Sequence, residues 1–83
     1  MADKKLFMKI VSPTGTRFAG EVLHAAFPGA AGEFAVFPGH APIVSLLKNG
    51  EIKYTTRDDL KATCSIANGF MEVNGDTITV CVE

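Results

Sequence analysis

The chain has 83 residues, of which 47% are hydrophobic and 20% charged, a composition typical of one small globular domain spanning residues 1–83. Its formal net charge of −1 argues against a nucleic-acid-binding protein, because such proteins carry a basic surface. No apolar run approaches the ~18 residues that a membrane span requires, and the first residues do not resemble a signal peptide. We therefore expect that the chain is neither inserted into a membrane nor exported. We also expect its cysteines to be reduced.

Glycine and proline recur at short intervals, and the segments between them are rich in β-favouring residues. This pattern predicts an all-β domain, because no stretch shows helical spacing of its apolar residues. The first four predicted strands, in chain order, are Lys5–Ser12, Arg17–Phe27, Glu33–Phe37 and Ile43–Leu47. In the second strand, Gly20 indicates a bulge or a close backbone approach. Four of its residues are predicted to share one face, namely Phe18, Gly20, Val22 and His24.

Asn49-Gly50 predicts a β-hairpin between the fourth strand and the segment that follows it. Asn-Gly suits the positive φ values at both central positions of a type I′ turn. A two-residue loop pairs Lys48 with Glu51 and Leu47 with Ile52. Opposite charges then face each other in one pair and apolar side chains in the next, which favours this register.

Asn74-Gly75 predicts a second hairpin by the same reasoning. A two-residue loop pairs Met71 with Ile78 and Gly69 with Val80. The two predicted faces are Met71, Val73, Ile78, Val80 and Val82 on one side, and Phe70, Glu72, Thr77 and Thr79 on the other. With a further turn at Asp58-Asp59, the residues alone predict about eight short strands in one antiparallel architecture.

No catalytic or metal-binding motif is recognisable in the sequence. The candidate nucleophiles and metal ligands His24, His40, Cys64 and Cys81 lack the spacing of known metal sites. An interaction module is therefore favoured over an enzyme. Two other interpretations stay open: a free-standing small β-domain that binds a small ligand beside His40, and a metal-dependent enzyme that uses these four residues.

The segment from Pro28 to Gly50 stands out, since it holds three of the four prolines and half of the glycines. Its core is the run GEFAVFPGHAP, residues 32–42. Shorter motifs flank it at matching intervals: Val11-Ser12-Pro13, Phe18-Ala19-Gly20-Glu21-Val22, Lys48-Asn49-Gly50 and Asn68-Gly69-Phe70-Met71-Glu72-Val73. In order and spacing these motifs closely resemble the N-terminal domain of the epsilon subunit of F-type ATP synthase. Asn68 departs from the family pattern, which has glycine at this position.

The resemblance implies a flattened antiparallel β-sandwich of eight to ten short strands. It also implies a non-catalytic subunit of the central stalk, which binds the gamma subunit and the c ring and couples ion translocation to ATP synthesis. The implied location is peripheral, on the cytoplasmic face of the bacterial inner membrane. No cofactor is expected.

The resemblance also implies two sets of interface residues. By position, the loop that faces the c ring corresponds to Ala31, Gly32 and Glu33, where a carboxylate suits cationic polar loops. The surface that faces gamma corresponds to His40, Ser45, Ala67, Asn68 and Glu72. The sequence given ends at Glu83, without the C-terminal helical hairpin of most family members, so neither inhibition of ATP hydrolysis nor nucleotide binding is expected.

Overall fold

The computed structural model describes residues 5–83, and in this range the chain forms eight β-strands and no helix. The strands are β1 (Leu6–Ser12), β2 (Gly15–Gly29), β3 (Gly32–Val36), β4 (Ile43–Leu47), β5 (Gly50–Thr56), β6 (Lys61–Ile66), β7 (Gly69–Asn74) and β8 (Thr77–Val82). The predicted all-β class is confirmed. The fourth strand has the predicted bounds, whereas β2 is longer than predicted because it begins at Gly15 and continues through Pro28 to Gly29.

The strands form one hydrogen-bonded sheet that folds into two layers, because the 15-residue strand β2 belongs to both. The first half of β2 pairs with β1, and its second half pairs with β3 and β5. We call the layer of β4, β7, β8, β1 and the first half of β2 the front sheet. The second half of β2, with β3, β5 and β6, forms the back sheet.

Alternation of side chains along the strands places the core between the two layers. In β1, Leu6, Met8 and Ile10 are buried, while the residues between them face solvent. The neighbouring strands repeat this pattern, so each layer has one apolar inner face. The fully or almost fully buried apolar residues are Leu6, Met8, Ile10, Val22, Ala25, Phe27, Val36, Leu47, Ile52, Ile66, Met71, Val73, Ile78, Val80 and Val82.

One pair of strands departs from the predicted antiparallel arrangement. β1 and β8 pair in parallel, with Met8 opposite Ile78 and Ile10 opposite Val80. Turn residues reveal the direction of pairing only for strands that are consecutive in the chain. The sequence therefore carried no local signal for this contact between its first and last strands.

The hairpin predicted at Asn49-Gly50 is wrong. β4 pairs with β7 and contacts β2, whereas β5 pairs with β2 and β6. The Lys48 N–H donates to the Pro28 carbonyl oxygen at 2.9 Å, and Gly50 lacks the positive φ of a type I′ turn. Asn49-Gly50 thus forms a corner at which the chain passes from the front sheet to the back sheet.

The hairpin predicted at Asn74-Gly75 exists, but its predicted register is wrong by two residues. Met71 pairs with Val80 and Val73 with Ile78, so the central residues are Gly75 and Asp76. Gly75 has a φ of 63°, which glycine adopts without steric cost. Because the shift is an even number of residues, each side chain stays on its predicted face. The predicted turn at Asp58-Asp59, between β5 and β6, is confirmed.

The irregularities of β2 do not lie at Gly20, which pairs regularly with Met8. Instead, Arg17 is an extra residue opposite β1, and Leu23 is an extra residue opposite β5. The extra residue at Leu23 reverses the alternation, so that Val22 and Ala25 are both buried. The prediction that His24 shares a face with Val22 is therefore wrong: Val22 is buried, whereas His24 faces solvent on the back sheet.

Candidate protein-interaction surfaces

Three loops lie together at one end of the sandwich. Gly29 of β2 pairs with both Gly32 of β3 and Leu47 of β4, and Leu47 pairs with Gly69 of β7. The loops that adjoin these residues therefore share one edge of the molecule, which we call the hairpin end: residues 30–31, 48–49 and 67–68.

The predicted c-ring residues form the tip of the β2–β3 hairpin at this end. Ala31, Gly32 and Glu33 are all exposed. Gly29 is required beneath them, because a Cβ there would lie 2.5 Å from the Gly32 carbonyl oxygen. Among residues 5–83, Arg57 and Glu21 form the one ion pair, so the Glu33 carboxylate has no cationic partner in this range.

The predicted gamma-facing residues are spread along the β4–β7 pair and its connections. Ala67 and Asn68 lie at the hairpin end, whereas His40 lies in the β3–β4 connection at the opposite end. The other two lie between these extremes but point to opposite faces. Ser45 pairs with Met71 and shares its inward side, while Glu72 points outward from the front sheet.

His40 is fixed by two hydrogen bonds within its own loop. Its backbone N–H donates to the Phe37 carbonyl oxygen at 3.1 Å. Its ring Nδ1 donates to the Ala41 carbonyl oxygen at 2.6 Å, and the preceding Gly39 has a φ of 86°. Within residues 5–83, Nε2 of the imidazole has no hydrogen-bond partner.

The outer face of the front sheet exposes an apolar row that the sequence did not reveal. Leu46 pairs with Phe70, Phe70 with Cys81, and Cys81 with Val11, so four strands contribute to it. Leu46 is 69% exposed and Phe70 49%, and Val44, in the adjacent row beside Glu72, is 71% exposed. Such a continuous apolar surface is typical of a protein-binding site. The alternation of β7 predicted that Phe70 lies on the face opposite Met71. Because β4 was predicted to pair with the following segment instead of with β7, the contact between Phe70 and Leu46 was not predicted.

The residues considered for catalysis or metal binding lie on separate surfaces. His24 packs on Phe37 on the back sheet in a tilted arrangement, with ring centroids 5.2 Å apart. Cys64 faces the core from β6, and Cys81 lies on the outer front face. Residues 5–83 contain no cluster of three or more His, Cys, Asp and Glu side chains placed to hold a metal ion.

Two open depressions in the surface do not support the interpretation that a small ligand binds beside His40. One lies beside Pro38 and Arg57, and the other beside Lys53 and Thr55; neither is lined by His40. In the described part of the chain, no helix has the length and apolar character needed to cross a membrane.

One titratable side chain near the core has a shifted pKa. Burial raises the pKa of Tyr54 above its usual value of 10.0, and an electrostatic contribution from the nearby Cys64 adds to the effect. The Tyr54 ring packs on Phe18, with centroids 4.5 Å apart. Arg17 lies beside the same cysteine, with a guanidinium nitrogen 3.7 Å from Sγ, and donates to the Ser65 carbonyl oxygen at 2.9 Å.

These features define a small two-layer β-domain with an exposed apolar row on one face and an exposed hairpin at one end. Comparison with known families agrees: residues 5–83 match the family model for the ATP synthase Delta/Epsilon chain, beta-sandwich domain. The chain belongs to this family. The predicted family and the predicted β-sandwich fold are thereby confirmed.

Among curated relatives, the ATP synthase epsilon chain of Chlorobaculum tepidum is 37% identical over 82 residues, covering 99% of this chain and 93% of the relative. The epsilon chain of Geotalea uraniireducens is 40% identical over 80 residues, covering 96% of this chain and 57% of that longer relative. A chain in the mitochondrial ATP synthase of Euglena gracilis has the same fold, with a TM-score of 0.89 and 18% identity. The match covers 99% of this chain and 52% of the Euglena chain.

Proposed function

We propose that this chain is a non-catalytic central-stalk subunit that binds the gamma subunit through its front sheet and the c ring through its hairpin end. In this role it couples ion translocation to ATP synthesis from a peripheral position on the cytoplasmic face of the membrane. The single observation that carries the proposal is the exposed apolar row across the front sheet.

The outer front face has the composition of a protein interface. Leu46 and Phe70 form an apolar centre, and Glu72 lies beside them with Val44 as its cross-strand partner. Covering the apolar centre drives association, whereas the carboxylate favours one orientation of the partner. The predicted gamma residues Ala67 and Asn68 border this face at the hairpin end.

The β2–β3 hairpin suits contact with cationic loops of a c ring. Glu33 is exposed next to the small residues Ala31 and Gly32, so a partner backbone can approach closely. The electrostatic attraction of one exposed carboxylate is modest, and it contributes more to orientation than to affinity.

The two proposed surfaces are mechanically connected through β4. The Ala30 N–H at the hairpin tip donates to the Leu46 carbonyl oxygen at 2.8 Å. The Leu46 side chain lies on the proposed gamma face, so one residue joins both surfaces. A force on the hairpin therefore reaches the gamma face through a short hydrogen-bonded path, as a coupling subunit requires.

The proposal is tested by measuring the affinity of purified gamma subunit for Leu46→Ser and for a control, Leu60→Ser. Leu60 is 65% exposed but lies after the β5–β6 turn, away from the front face. We expect Leu46→Ser to weaken binding at least ~10-fold, since a buried leucine contributes about 1.5–3 kcal/mol. We expect Leu60→Ser to leave it unchanged. Equal affinities for the two variants, both folded by circular dichroism, would contradict the proposal.

A further inference from the structure

We propose that, in the absence of other subunits, the chain forms a face-to-face dimer through the outer front sheet, around a two-fold axis that runs along β8. The partner in this contact is a second copy of the same chain. The inference goes beyond the proposed function and does not depend on it, because it follows from the arrangement of residues on this face alone.

β8 is the central strand of the front sheet, whose order is β2, β1, β8, β7 and β4. A two-fold axis along the central strand places β1 of one copy opposite β7 of the other, and β2 opposite β4. Each residue keeps its height along the strands under this operation. The strand registers therefore determine which residues of the two copies face each other.

The charges of this face are complementary to themselves under that symmetry. Lys9, Thr79 and Glu72 lie in one cross-strand row, with Thr79 on the axis. Lys9 of each copy therefore faces Glu72 of the second copy, on both sides of the axis. Neither residue has an ion-pair partner within residues 5–83 of its own chain. A random arrangement of these charges would place like charges opposite each other as often as unlike ones.

The apolar residues of the face are matched in the same way. The adjacent row runs from Val11 through Cys81 to Phe70, so Val11 of one copy faces Phe70 of the other. In the Lys9 row, Val44 of one copy faces Ala19 of the other, because Ala19 pairs with Lys9. At the ends of the Val11 row, Leu46 of one copy faces Thr16 of the other, because Thr16 pairs with Val11. The face therefore matches apolar with apolar at Val11 and Phe70 and at Val44 and Ala19, and it places the Thr16 methyl group against Leu46.

The size of the face indicates a weak dimer. Five strands about 4.8 Å apart, each contributing about 17 Å of length, give on the order of 400 Å² per copy. The total of about 800 Å² is smaller than the roughly 1,200–2,000 Å² of a stable interface. The dimer should therefore form only at high concentration of free chain and dissociate when a tighter partner covers the same face.

The decisive experiment is sedimentation velocity of Lys9→Glu, Glu72→Lys and the double variant, compared with the unaltered chain up to ~1 mM. For the unaltered chain we expect the weight-average mass to rise from 8.8 kDa toward twice that value. Each single variant places like charges opposite each other and should weaken self-association by at least ~10-fold. The double variant restores unlike charges and should restore the dimer.

Cys81 provides an independent measurement, since it lies on the axis and faces Cys81 of the second copy. The layers of packed sheets are about 10 Å apart, so a short bismaleimide should link the two thiols. We expect a covalent dimer in Cys64→Ser, which keeps Cys81, and none in Cys81→Ser, which keeps Cys64.

A chain that stays monomeric over this range would overturn the dimer, as would a double variant that fails to restore it. Gamma binding is measured separately, so a monomeric chain that still binds gamma would refute the dimer and leave the proposed function intact. Conversely, a chain that dimerises but has no affinity for gamma would support this inference and refute the proposed function.

Discussion

Gly50 lies so close to Pro28 that a Cβ on Gly50 would be 2.9 Å from the Pro28 Cβ. Pro28 also accepts the hydrogen bond from Lys48, so the corner between the two layers is packed against the base of the β2–β3 hairpin. A glycine is therefore needed at this corner for space and not for an unusual φ.

We expect Gly50→Ala to lower the free energy of unfolding by about 1–3 kcal/mol, because the added methyl group overpacks the Pro28 contact. The control is Gly20→Ala, whose Cβ would meet the Phe18 ring at 3.4 Å and nothing nearer. This control should change the free energy by less than about 0.5 kcal/mol. Urea unfolding measures both, and equal stabilities would show that the corner relaxes freely.

We expect the protein to lose stability as the pH rises above 10, in part through Tyr54. Its pKa is raised in the folded chain, mainly by burial, so the unfolded chain releases this proton at a lower pH. The contribution is fully present below the unfolded pKa and is lost as the pH rises through the folded pKa. The free energy of unfolding, measured with urea, should therefore decrease less between pH 8 and alkaline pH in Tyr54→Phe than in the unaltered chain.

The protein contains a single tyrosine, so the phenolate absorbance of the folded chain reports Tyr54 alone. Its titration midpoint should lie above 10.0. A midpoint at or below the ordinary value would contradict the role of burial.

Removal of the Arg57–Glu21 ion pair should have only a small effect. The Arg57 Nη1 and Glu21 Oε2 atoms are 2.6 Å apart, but the Arg57 side chain is 64% exposed. The coupling between Arg57→Ala and Glu21→Ala in a double-mutant cycle should be below about 1 kcal/mol and should decrease with added salt. A larger coupling that is insensitive to salt would indicate that the pair is effectively buried.

Glu33 should affect binding of the c ring without affecting the fold. Glu33→Lys reverses the exposed charge at the hairpin tip, and Asp58→Lys reverses an exposed charge in the β5–β6 turn, at the opposite end of β5, as a control. We expect the first variant alone to weaken association with purified c ring, by roughly 3- to 10-fold at low salt and less at high salt. Identical affinities at low salt would exclude Glu33 from that interface.

Local signals in the sequence were sufficient for the strands and for the faces of β7 and β8, but not for the faces of β2 and β4 or for the partners of each strand. Alternation in β7 and β8 correctly separated buried from exposed residues because each of these strands has one apolar face. β4 is apolar on both faces, so its pattern did not show that Leu46 points outward. The bulge at Leu23 likewise leaves no trace in side-chain chemistry, since it is a property of the backbone.

The candidate surfaces could be predicted only as far as the family resemblance reached. That resemblance gave the family and the hairpin residues Ala31–Glu33, which the structure places at an exposed tip. The roles of those residues, and of the five predicted to face gamma, remain predictions. The apolar row could be recognised only in the three-dimensional structure, because it joins residues from four strands that are distant in the sequence.

The parallel contact between β1 and β8 has a consequence for folding of the protein during its synthesis on the ribosome. β8 fills the gap between β1 and β7, so both of these strands keep an open edge until β8 has been translated. Contacts between distant segments also slow the search for the native state. The front layer should therefore close only after synthesis of the last strand, which leaves the nascent chain in need of protection against pairing with a neighbour.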